Sequence, residues 1–282
     1  MTMQDGAGGA AQKLMLEIAG TRLAVTRRGR GPALVCLHAI GHSGRDFDGL
    51  AERLGGRLSV IAIDFPGHGD SPAEAVAPTP ARYAELLAGV ADALGLKRFA
   101  LLGNSIGGAT ALRYAAANPA RVTALILCNS GGLQKVGLLA RLYTGHMARF
   151  FETGARGDKS FAKKYRRYYE RTVLTGAKSK ARREEIVADA YKCAPLLASA
   201  WREFGRPEAD IRHLPRQLKC PVLYAWARND AAIAWSRSRR AALTAPNHTV
   251  AMFDAGHSAF LEQPEEFDAA LVQFLEKQRL LA

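Results

Sequence analysis

The sequence predicts an α/β fold: a mostly parallel central sheet that is flanked by helices and carries an inserted helical segment. Two observations predict it. Short apolar segments alternate with amphipathic ones along the chain, and this alternation stops between residues 132 and 213. Alternating strands and helices are typical of a parallel sheet with helices on both faces. The middle segment has no convincing strand pattern, so it predicts several short helices inserted between two strands.

The predicted elements follow in chain order. Residues 14–20 and 22–29 have the pattern of two strands of a hairpin, with Gly20 at the turn. Short, nearly all-apolar segments are typical of strands buried on both faces, and residues 33–39, 58–64 and 98–104 predict such strands. Further strands are predicted at residues 122–129, 221–227 and 248–255. Apolar residues recur at helical spacing in residues 45–54, 80–96 and 265–281, and in the segment directly after Ser105.

The chain divides into three predicted parts. Residues 1–13 predict a flexible N-terminal lead-in. Residues 14–131 and 214–282 predict one α/β core, since 282 residues can bury a sizeable core as a single domain with an insertion. Residues 132–213 predict a helical cap, or lid, over that core.

Most of the positive charge lies in the middle segment. The chain has a formal net charge of +13, and the stretch from Lys135 to Arg183 holds 14 Lys and Arg residues against three Asp and Glu, a local balance of +11. A solvated helical surface is one interpretation, and attraction of anionic substrates is another. Basic residues interleaved with Tyr165, Tyr168 and Tyr169 would suit nucleic-acid binding, but no recognised nucleic-acid motif supports that interpretation.

Several classes of protein are disfavoured by what the sequence lacks. No apolar run approaches the roughly 18–20 residues that cross a bilayer, so no membrane span is predicted. The N-terminus lacks the basic start and apolar block of a secretory signal, which predicts a cytoplasmic location. The four cysteines have no metal-ligand spacing, and no glycine-rich phosphate loop is present. The sequence therefore predicts a small-molecule substrate with no metal and no cofactor.

A serine between glycines marks the junction of a predicted strand and a predicted helix. Residues 103–107 (GNSIG) match G-x-S-x-G, with strand before and helix after. A sharp strand-to-helix turn forces strained dihedrals on Ser105 and exposes its hydroxyl, and glycines at the flanks keep the turn free of clashes. The helix N-terminus favours a developing anion. The alternative is an ordinary tight turn, but the context predicts that Ser105 is a nucleophile.

A serine hydroxyl needs a base, and two residues further along the chain supply a histidine and a carboxylate. His257 and Asp230 each follow a predicted strand, and functional side chains of α/β sheets gather at the carboxyl ends of the strands. Asp230 could instead cap the following helix, and Asp254 and Asn129 are neighbouring alternatives to it. The order Ser105, Asp230, His257 predicts a catalytic triad.

Other residues complete the predicted site. The backbone N–H groups of Ile40 and Ile106 are predicted to form the oxyanion hole, because each lies in a loop or turn after a buried strand. We expect His38 and His68 to be structural. The predicted substrate contacts are His42, Asn104 and Ser258.

These motifs resemble those of enzymes with the α/β-hydrolase fold and a helical cap, over about residues 14–280. The resemblance is carried by LHAIGHSGRDF, DFPGHGDS, GNSIGG, ARND and AGHSAFLEQPEEF. It implies a triad of Ser105, Asp230 and His257. The region around the serine is similar to the meta-cleavage product hydrolases, which cleave C–C bonds. The loop at His38, where the second residue is Ala39, is more like that of esterases. A serine at position 105 argues against dehalogenases and epoxide hydrolases, which use aspartate.

The sequence therefore predicts a cofactor-independent serine hydrolase that acts on a carboxylic ester or a similar acyl substrate, including anionic ones. One alternative is a C–C bond hydrolase of the meta-cleavage product type. Alternatives from other classes are a ligand-binding, receptor-like protein and a basic nucleic-acid-binding module.

Overall fold

An eight-stranded sheet forms the centre of the structure, a computed structural model that describes residues 11–281. The strands are β1 (Gln12–Ile18), β2 (Thr21–Arg28), β3 (Ala33–Leu37), β4 (Ser59–Ile63), β5 (Phe99–Asn104), β6 (Val122–Cys128), β7 (Val222–Ala227) and β8 (His248–Phe253). Their order in the sheet is β1-β2-β4-β3-β5-β6-β7-β8. Strands β3 to β8 pair in parallel, whereas β2 pairs antiparallel with both β1 and β4.

The hairpin of β1 and β2 lies at one edge of the sheet. Ile18 pairs with Thr21 across a two-residue turn, in which Ala19 and Gly20 both have positive φ, 50° and 76°. Positive φ at both positions is what the favoured two-residue hairpin turn requires. Strand β1 begins at Gln12, so the end of the predicted lead-in, residues 1–13, belongs to the sheet; residues 1–10 lie outside the described part of the chain.

Helices cover both faces of the sheet. They are α1 (Asp48–Leu54), α2 (Pro80–Ala93), α3 (Ile106–Ala117), α4 (Leu138–Ala155), α5 (Phe161–Tyr168), α6 (Lys180–Ala188), α7 (Ala190–Phe204), α8 (Trp235–Ala242), α9 (Ala259–Glu262) and α10 (Pro264–Lys277). The helix predicted over 45–54 is divided: residues 44–47 form a 3-10 turn before α1. Phe47 leaves helical geometry there, and its ring stacks on Phe260 with centroids 5.0 Å apart.

Two apolar layers enclose the sheet. Side chains of α2, α3 and α8 form the layer on one face, and those of α1, α9 and α10 form the layer on the other. This arrangement confirms the predicted α/β fold with a mostly parallel sheet.

Four α-helices, α4 to α7, lie between β6 and β7, and we call them the helical insertion. Residues 132–213 contain no strand. The insertion has an apolar cluster of its own, in which Tyr165 and Tyr169 are buried, so these rings are not presented for base stacking. The division of the chain at residues 132 and 213 stays a prediction. Among residues 11–281, no helix combines the length and the apolar character needed to cross a membrane.

Candidate active site

Ser105 lies at the sharp turn between β5 and α3. Its backbone has φ 57° and ψ −116°, and a positive φ is strained for a residue with a β-carbon. Backbone hydrogen bonds hold the turn: the Ser105 N–H donates to the carbonyl oxygen of Cys128 (3.1 Å), and the Ser105 carbonyl accepts from the N–H groups of Gly131 (2.9 Å) and Ala109 (3.1 Å). The surroundings therefore impose the strained geometry, and the side chain lines a large cavity.

Gly103 and Gly107 allow the backbone segments around the serine to approach closely. A β-carbon on Gly103 would lie 2.2 Å from the carbonyl oxygen of Gly107, and one on Gly107 would lie 2.3 Å from that of Leu37. Both distances are far shorter than a van der Waals contact, so a larger residue would push the elements apart. The glycines of the G-x-S-x-G motif are thus explained by packing around Ser105.

The cavity has a volume of about 800 Å³ and lies between the core and the helical insertion. This size is within the range of small-molecule sites. Its core wall includes Ala39, Ile40, His42, Ser105, Ile106, Ile233 and His257, and its insertion wall includes Leu139, Tyr143, Met147, Phe151, Tyr168, Tyr169, Leu197 and Trp201. Polar reactive groups thus face a largely aromatic and aliphatic wall. The Ser105 and His257 side chains share the core wall without a hydrogen bond between them, and such bonds often tighten only when substrate binds.

His257 is oriented by a buried carboxylate. Its Nδ1 is 2.6 Å from Oδ2 of Asp230, and both side chains are buried. The carboxylate is held in turn: Oδ2 accepts from Nδ2 of Asn129 at 2.6 Å, and Oδ1 accepts from the N–H groups of Ala232 (2.9 Å) and Ile233 (2.8 Å). Because an ionised carboxylate can only accept, Nδ1 carries the proton and Nε2 of the neutral ring remains an acceptor.

Opposite charges favour the ionised forms of this pair. Burial opposes ionisation of Asp230, but attraction to His257 and the hydrogen bonds outweigh it, so the pKa of Asp230 lies below its ordinary value. Burial also opposes protonation of His257. The charge of Asp230, its hydrogen bond and the charge of Glu262 outweigh that effect and raise the pKa of His257. An imidazolium formed at His257 would therefore be stabilised.

Glu262 connects the loop of His257 to the helical insertion. One oxygen, Oε1, accepts from the N–H groups of Gly256 (3.0 Å) and His257 (3.1 Å). The other, Oε2, accepts from the N–H groups of Thr175 (2.9 Å) and Gly176 (2.8 Å) and from the Thr175 hydroxyl (3.1 Å). The buried carboxylate thus holds the histidine loop and a turn of the insertion together.

Two backbone N–H groups near Ser105 have no acceptor among the described residues. Ile106 is the first residue of α3, so its N–H has no partner in the helix, and the N–H of Ile40 is likewise unpaired. The neighbouring N–H of Gly41 is occupied, since it donates to Nε2 of His68 at 3.0 Å. Ile40 and Ile106 both line the cavity that Ser105 lines.

His38 and His68 use both ring nitrogens to hold their loops. Nδ1 of His38 is 2.7 Å from the carbonyl oxygen of Ala39, and its Nε2 accepts from the N–H of Phe65 at 3.0 Å. His68 accepts in the same way from Gly41. Burial lowers the pKa of His38 to about 4 and that of His68 well below its ordinary value. Both rings are therefore neutral and structural.

His42 forms a second histidine–carboxylate pair in the cavity wall. Its Nδ1 is 2.7 Å from Oδ2 of Asp46, and Nε of Arg182, on α6, donates to Oδ1 of Asp46 at 2.7 Å. Nη2 of Arg182 also donates to the Ser43 hydroxyl at 2.9 Å. The His42 ring stacks on Tyr169 with centroids 5.8 Å apart, and its buried Nε2 has no hydrogen-bond partner in residues 11–281. Nε2 of His42 is therefore a buried ring nitrogen in the cavity wall that no described protein group satisfies.

Asn104 and Ser258 do not line the cavity, although the sequence predicts both as substrate contacts. Both side chains are fully buried. The Ser258 hydroxyl donates to Oδ1 of Asn104 at 2.8 Å, and Nδ2 of Asn104 donates to the carbonyl oxygens of Cys128 (3.0 Å) and His257 (3.1 Å). Their hydrogen bonds are thus used to join the serine turn to the histidine loop, and this placement does not support substrate contact.

The roles of four residues of the site, Asn129, Glu262, Asp46 and Arg182, were not predicted from sequence. Asn129 and Glu262 hold the Asp230 carboxylate and the His257 loop, and an acidic residue five positions after a loop histidine was an available signal for Glu262. The spacing of His42 and Asp46, four residues apart, was a signal for that pair. Nothing in the sequence joins Arg182 to it, because 136 residues separate Arg182 from Asp46.

Thiols and metal ligands contribute no second reactive group in the described part of the chain. Within residues 11–281, no three His, Cys, Asp or Glu side chains are grouped so that they could hold a metal ion. Cys36 and Cys128 are buried free thiols, and burial raises the pKa of each above its ordinary value. A raised pKa disfavours the nucleophilic thiolate, so these cysteines are structural.

Comparison with known proteins identifies the family. Residues 34–270 match the description "Alpha/beta hydrolase family", so the chain belongs to that family and is an enzyme of the α/β-hydrolase class. This confirms the predicted resemblance. A thermophilic esterase from Thermogutta terrifontis, whose structure was solved with malate bound, has the same fold, with a TM-score of 0.78 and 24% identity over 95% of this chain and 99% of that one.

Relatives of this chain include a hydroxy-oxo-dienedioate hydrolase and a methyl ester esterase. A 2-hydroxy-6-oxononadienedioate/2-hydroxy-6-oxononatrienedioate hydrolase from Burkholderia vietnamiensis is 28% identical, over 92% of this chain and 93% of its own length. A pimeloyl-[acyl-carrier protein] methyl ester esterase from Chromobacterium violaceum is 30% identical, over 91% and 99%. Uncharacterized mycobacterial proteins match 124 residues at 35% identity, and this match covers 44% of the chain and 36% of their length.

Proposed function

We propose that the protein is a cofactor-independent serine hydrolase in which Ser105, His257 and Asp230 form the catalytic triad. The substrate class that we propose is a carboxylic ester or a similar acyl compound. The observation that carries the proposal is the strained Ser105 turn in the same cavity wall as the buried His257–Asp230 pair.

Each group has a defined step in this reaction. The Ser105 oxygen attacks the acyl carbon while its proton passes to Nε2 of His257, and Asp230 stabilises the imidazolium. When the tetrahedral intermediate collapses, the C–O bond breaks and the leaving alkoxide takes that proton. A water molecule then attacks the acyl-enzyme with His257 as base, which releases the acid and restores the serine.

The unpaired N–H groups of Ile40 and Ile106 are suited to the negative charge that develops on the acyl oxygen. Fixed amide donors stabilise an oxyanion strongly because they need no reorganisation during the reaction, and loss of one such donor typically costs about a hundredfold or more in rate. The N-terminal end of α3 adds a favourable dipole at the same place. In this proposal the helical insertion is the cap, and its aromatic wall selects an apolar acyl or alcohol group.

Substitution of the serine tests the proposal directly. We expect Ser105→Ala to lower kcat/KM for a short aryl ester by about a thousandfold or more, with an unchanged circular dichroism spectrum. Ser236→Ala, at an exposed serine of α8, is the matched control and should retain full activity. A fluorophosphonate probe should label wild type at Ser105 only. Full turnover by Ser105→Ala would refute the triad.

A second candidate is hydrolysis of a C–C bond in a carboxylate-bearing dienoate. It is supported by the nearly full-length match to the Burkholderia vietnamiensis hydrolase and by two cationic side chains in the cavity lining, Lys135 and Arg237. Parallel kcat/KM measurements on aryl esters, lactones, acyl thioesters and ring-cleavage dienoates separate the two candidates. A dienoate rate far above the ester rate would favour C–C hydrolysis. Binding without turnover of any of them would favour a receptor-like protein.

A further inference from the structure

The first two turns of α4 present leucines to solvent. Leu138, Leu139 and Leu142 are 73%, 82% and 59% exposed, and Tyr143 beside them is 42% exposed. The other large apolar side chains that are exposed in residues 11–281 are dispersed along the chain: Met15, Val76, Tyr191, Leu243 and Val250. A cluster of exposed leucines on a single helix end indicates an interaction surface, whereas scattered ones do not.

This apolar cluster borders the opening of the cavity. Leu139 and Tyr143 line the cavity, whereas Leu138 and Leu142, one turn apart on the adjacent side of the helix, do not. The same side of α4 continues with His146 and Arg149, which are exposed. Exposed leucines next to basic side chains offer the two interactions that hold a protein surface at an anionic membrane, apolar burial and electrostatic attraction.

Charge selects among the possible occupants of this surface. Residues 133–149 contain the cations Lys135, Arg141 and Arg149 and no acidic residue, within a stretch whose local charge is +11. A second copy of the chain would bring two such basic surfaces together, which repulsion disfavours. An anionic lipid surface offers both the negative charge and a hydrocarbon layer for the leucines.

We propose that the N-terminal end of α4 binds the surface of anionic membranes, with Leu138, Leu139 and Leu142 in the acyl-chain boundary. The bound state is peripheral, and the cavity then opens toward the lipid. The inference does not depend on the catalytic mechanism, because binding to a membrane surface requires no turnover.

Vesicle sedimentation tests whether the N-terminal end of α4 binds anionic membranes. We expect wild type to sediment with phosphatidylcholine–phosphatidylglycerol vesicles, much less with phosphatidylcholine alone, and less at high salt. Leu138→Gln/Leu142→Gln, which changes no residue of the cavity wall, should weaken the partition at least about tenfold. Its matched control is Leu243→Gln, which removes a leucine that is 45% exposed elsewhere and should bind as wild type does.

The charge is tested separately. Arg149→Glu should weaken binding at least about fivefold, since each cation near an anionic surface contributes about that factor. Lys97→Glu, at an exposed lysine that precedes β5 and thus lies at the opposite end of this strand from Ser105, should have no effect. Ser105→Ala should bind vesicles as wild type does, so loss of hydrolysis and loss of binding are read independently.

Four results would overturn the proposal. Three are sedimentation results: wild type fails to sediment with anionic vesicles, wild type binds neutral vesicles equally well, or the double leucine variant binds as wild type does. The fourth is a wild-type dimer in light scattering that does not bind vesicles and that the double leucine substitution dissociates. The last result would make the surface an interface between copies. Binding of soluble polyglutamate by wild type and the leucine variant alike, without vesicle binding, would indicate an acidic protein partner instead.

Discussion

Two histidines in the same cavity wall each bond a buried aspartate, yet the two pairs are built differently. In the first pair, Nδ1 of His257 lies 2.6 Å from Asp230, and in the second, Nδ1 of His42 lies 2.7 Å from Asp46. Distance and burial therefore do not distinguish them. The difference lies in what else contacts each carboxylate.

The partners of Asp230 other than His257 are neutral, whereas Asp46 also contacts the Arg182 guanidinium, which is a cation. The Asn129 amide and two backbone N–H groups hold Asp230, so its charge is available to stabilise His257 as an imidazolium. Asp46 shares its charge with the Arg182 guanidinium. The two pairs therefore have similar geometry but differ in the charge of the groups around each carboxylate. This difference in charge identifies His257 as the proposed base.

The largest expected effect separates the two carboxylates by turnover. Asp230→Asn should lower kcat/KM on the order of a thousandfold or more, because an amide that donates to Nδ1 would fix the wrong tautomer of His257. Asp46→Asn should lower it by about tenfold or less, since one hydrogen bond to a wall residue is altered. Steady-state kinetics on a short aryl ester measures both. Equal losses in the two variants would contradict the assignment of His257 as base.

We expect the free energy of unfolding to fall more in Asp46→Asn than in Asp230→Asn. Asp46→Asn should lower the free energy of unfolding by up to about 3 kcal/mol, because it removes the buried counter-ion of the mostly buried Arg182 and leaves it only the exposed Glu185. Adding Arg182→Met should restore much of that loss. The exposed ion pair of Lys178 and Glu265 is the control, and Glu265→Gln should cost less than about 1 kcal/mol. Chemical denaturation measures all of these, and no loss in Asp46→Asn would show that Arg182 is solvated.

The pH dependence of kcat/KM sharpens the comparison further. The base must be neutral to accept a proton, so activity should rise with pH through the raised pKa of His257. The negative charge of Glu262 contributes to that rise in pKa, so Glu262→Gln should move the acid limb to lower pH, by about one unit or less. Glu265→Gln again serves as control. An acid limb that stays in place would mean that Glu262 acts on His257 through the backbone alone.

Replacement of His42 should have the smallest effect. His42→Phe keeps a ring against Tyr169 and leaves Asp46 paired with Arg182. We expect KM to rise by about tenfold or less for an ester that carries a hydrogen-bonding group, with kcat little changed. His146→Phe, at an exposed histidine of α4, is the control. A collapse of kcat in His42→Phe would instead identify His42 as a base.

Local patterns predicted most of the fold, and contacts between distant segments were beyond them. The apolar segments became β3 to β7, because strands buried on both faces leave a signal within five to seven residues. The segment of the half-exposed edge strand β8 also formed a strand. Ser105 was predictable because its strained turn demands glycines next to it. The bonds of Arg182 to Asp46 and of Glu262 to Thr175 join segments 136 and 87 residues apart, so they follow from how the insertion sits on the core. The hydrogen bond of Asn104 to Ser258 was beyond sequence patterns for the same reason, since 154 residues separate the two.

Glu262 couples the position of the helical insertion to the position of His257. One oxygen of this carboxylate holds the loop of His257, and the other holds Thr175 and Gly176 in the insertion. Lifting that turn away from the core must either sever the contacts at Oε2 or drag α9 and the imidazole with it. A displacement of the helical insertion and a displacement of the His257 ring are thus coupled through one carboxylate.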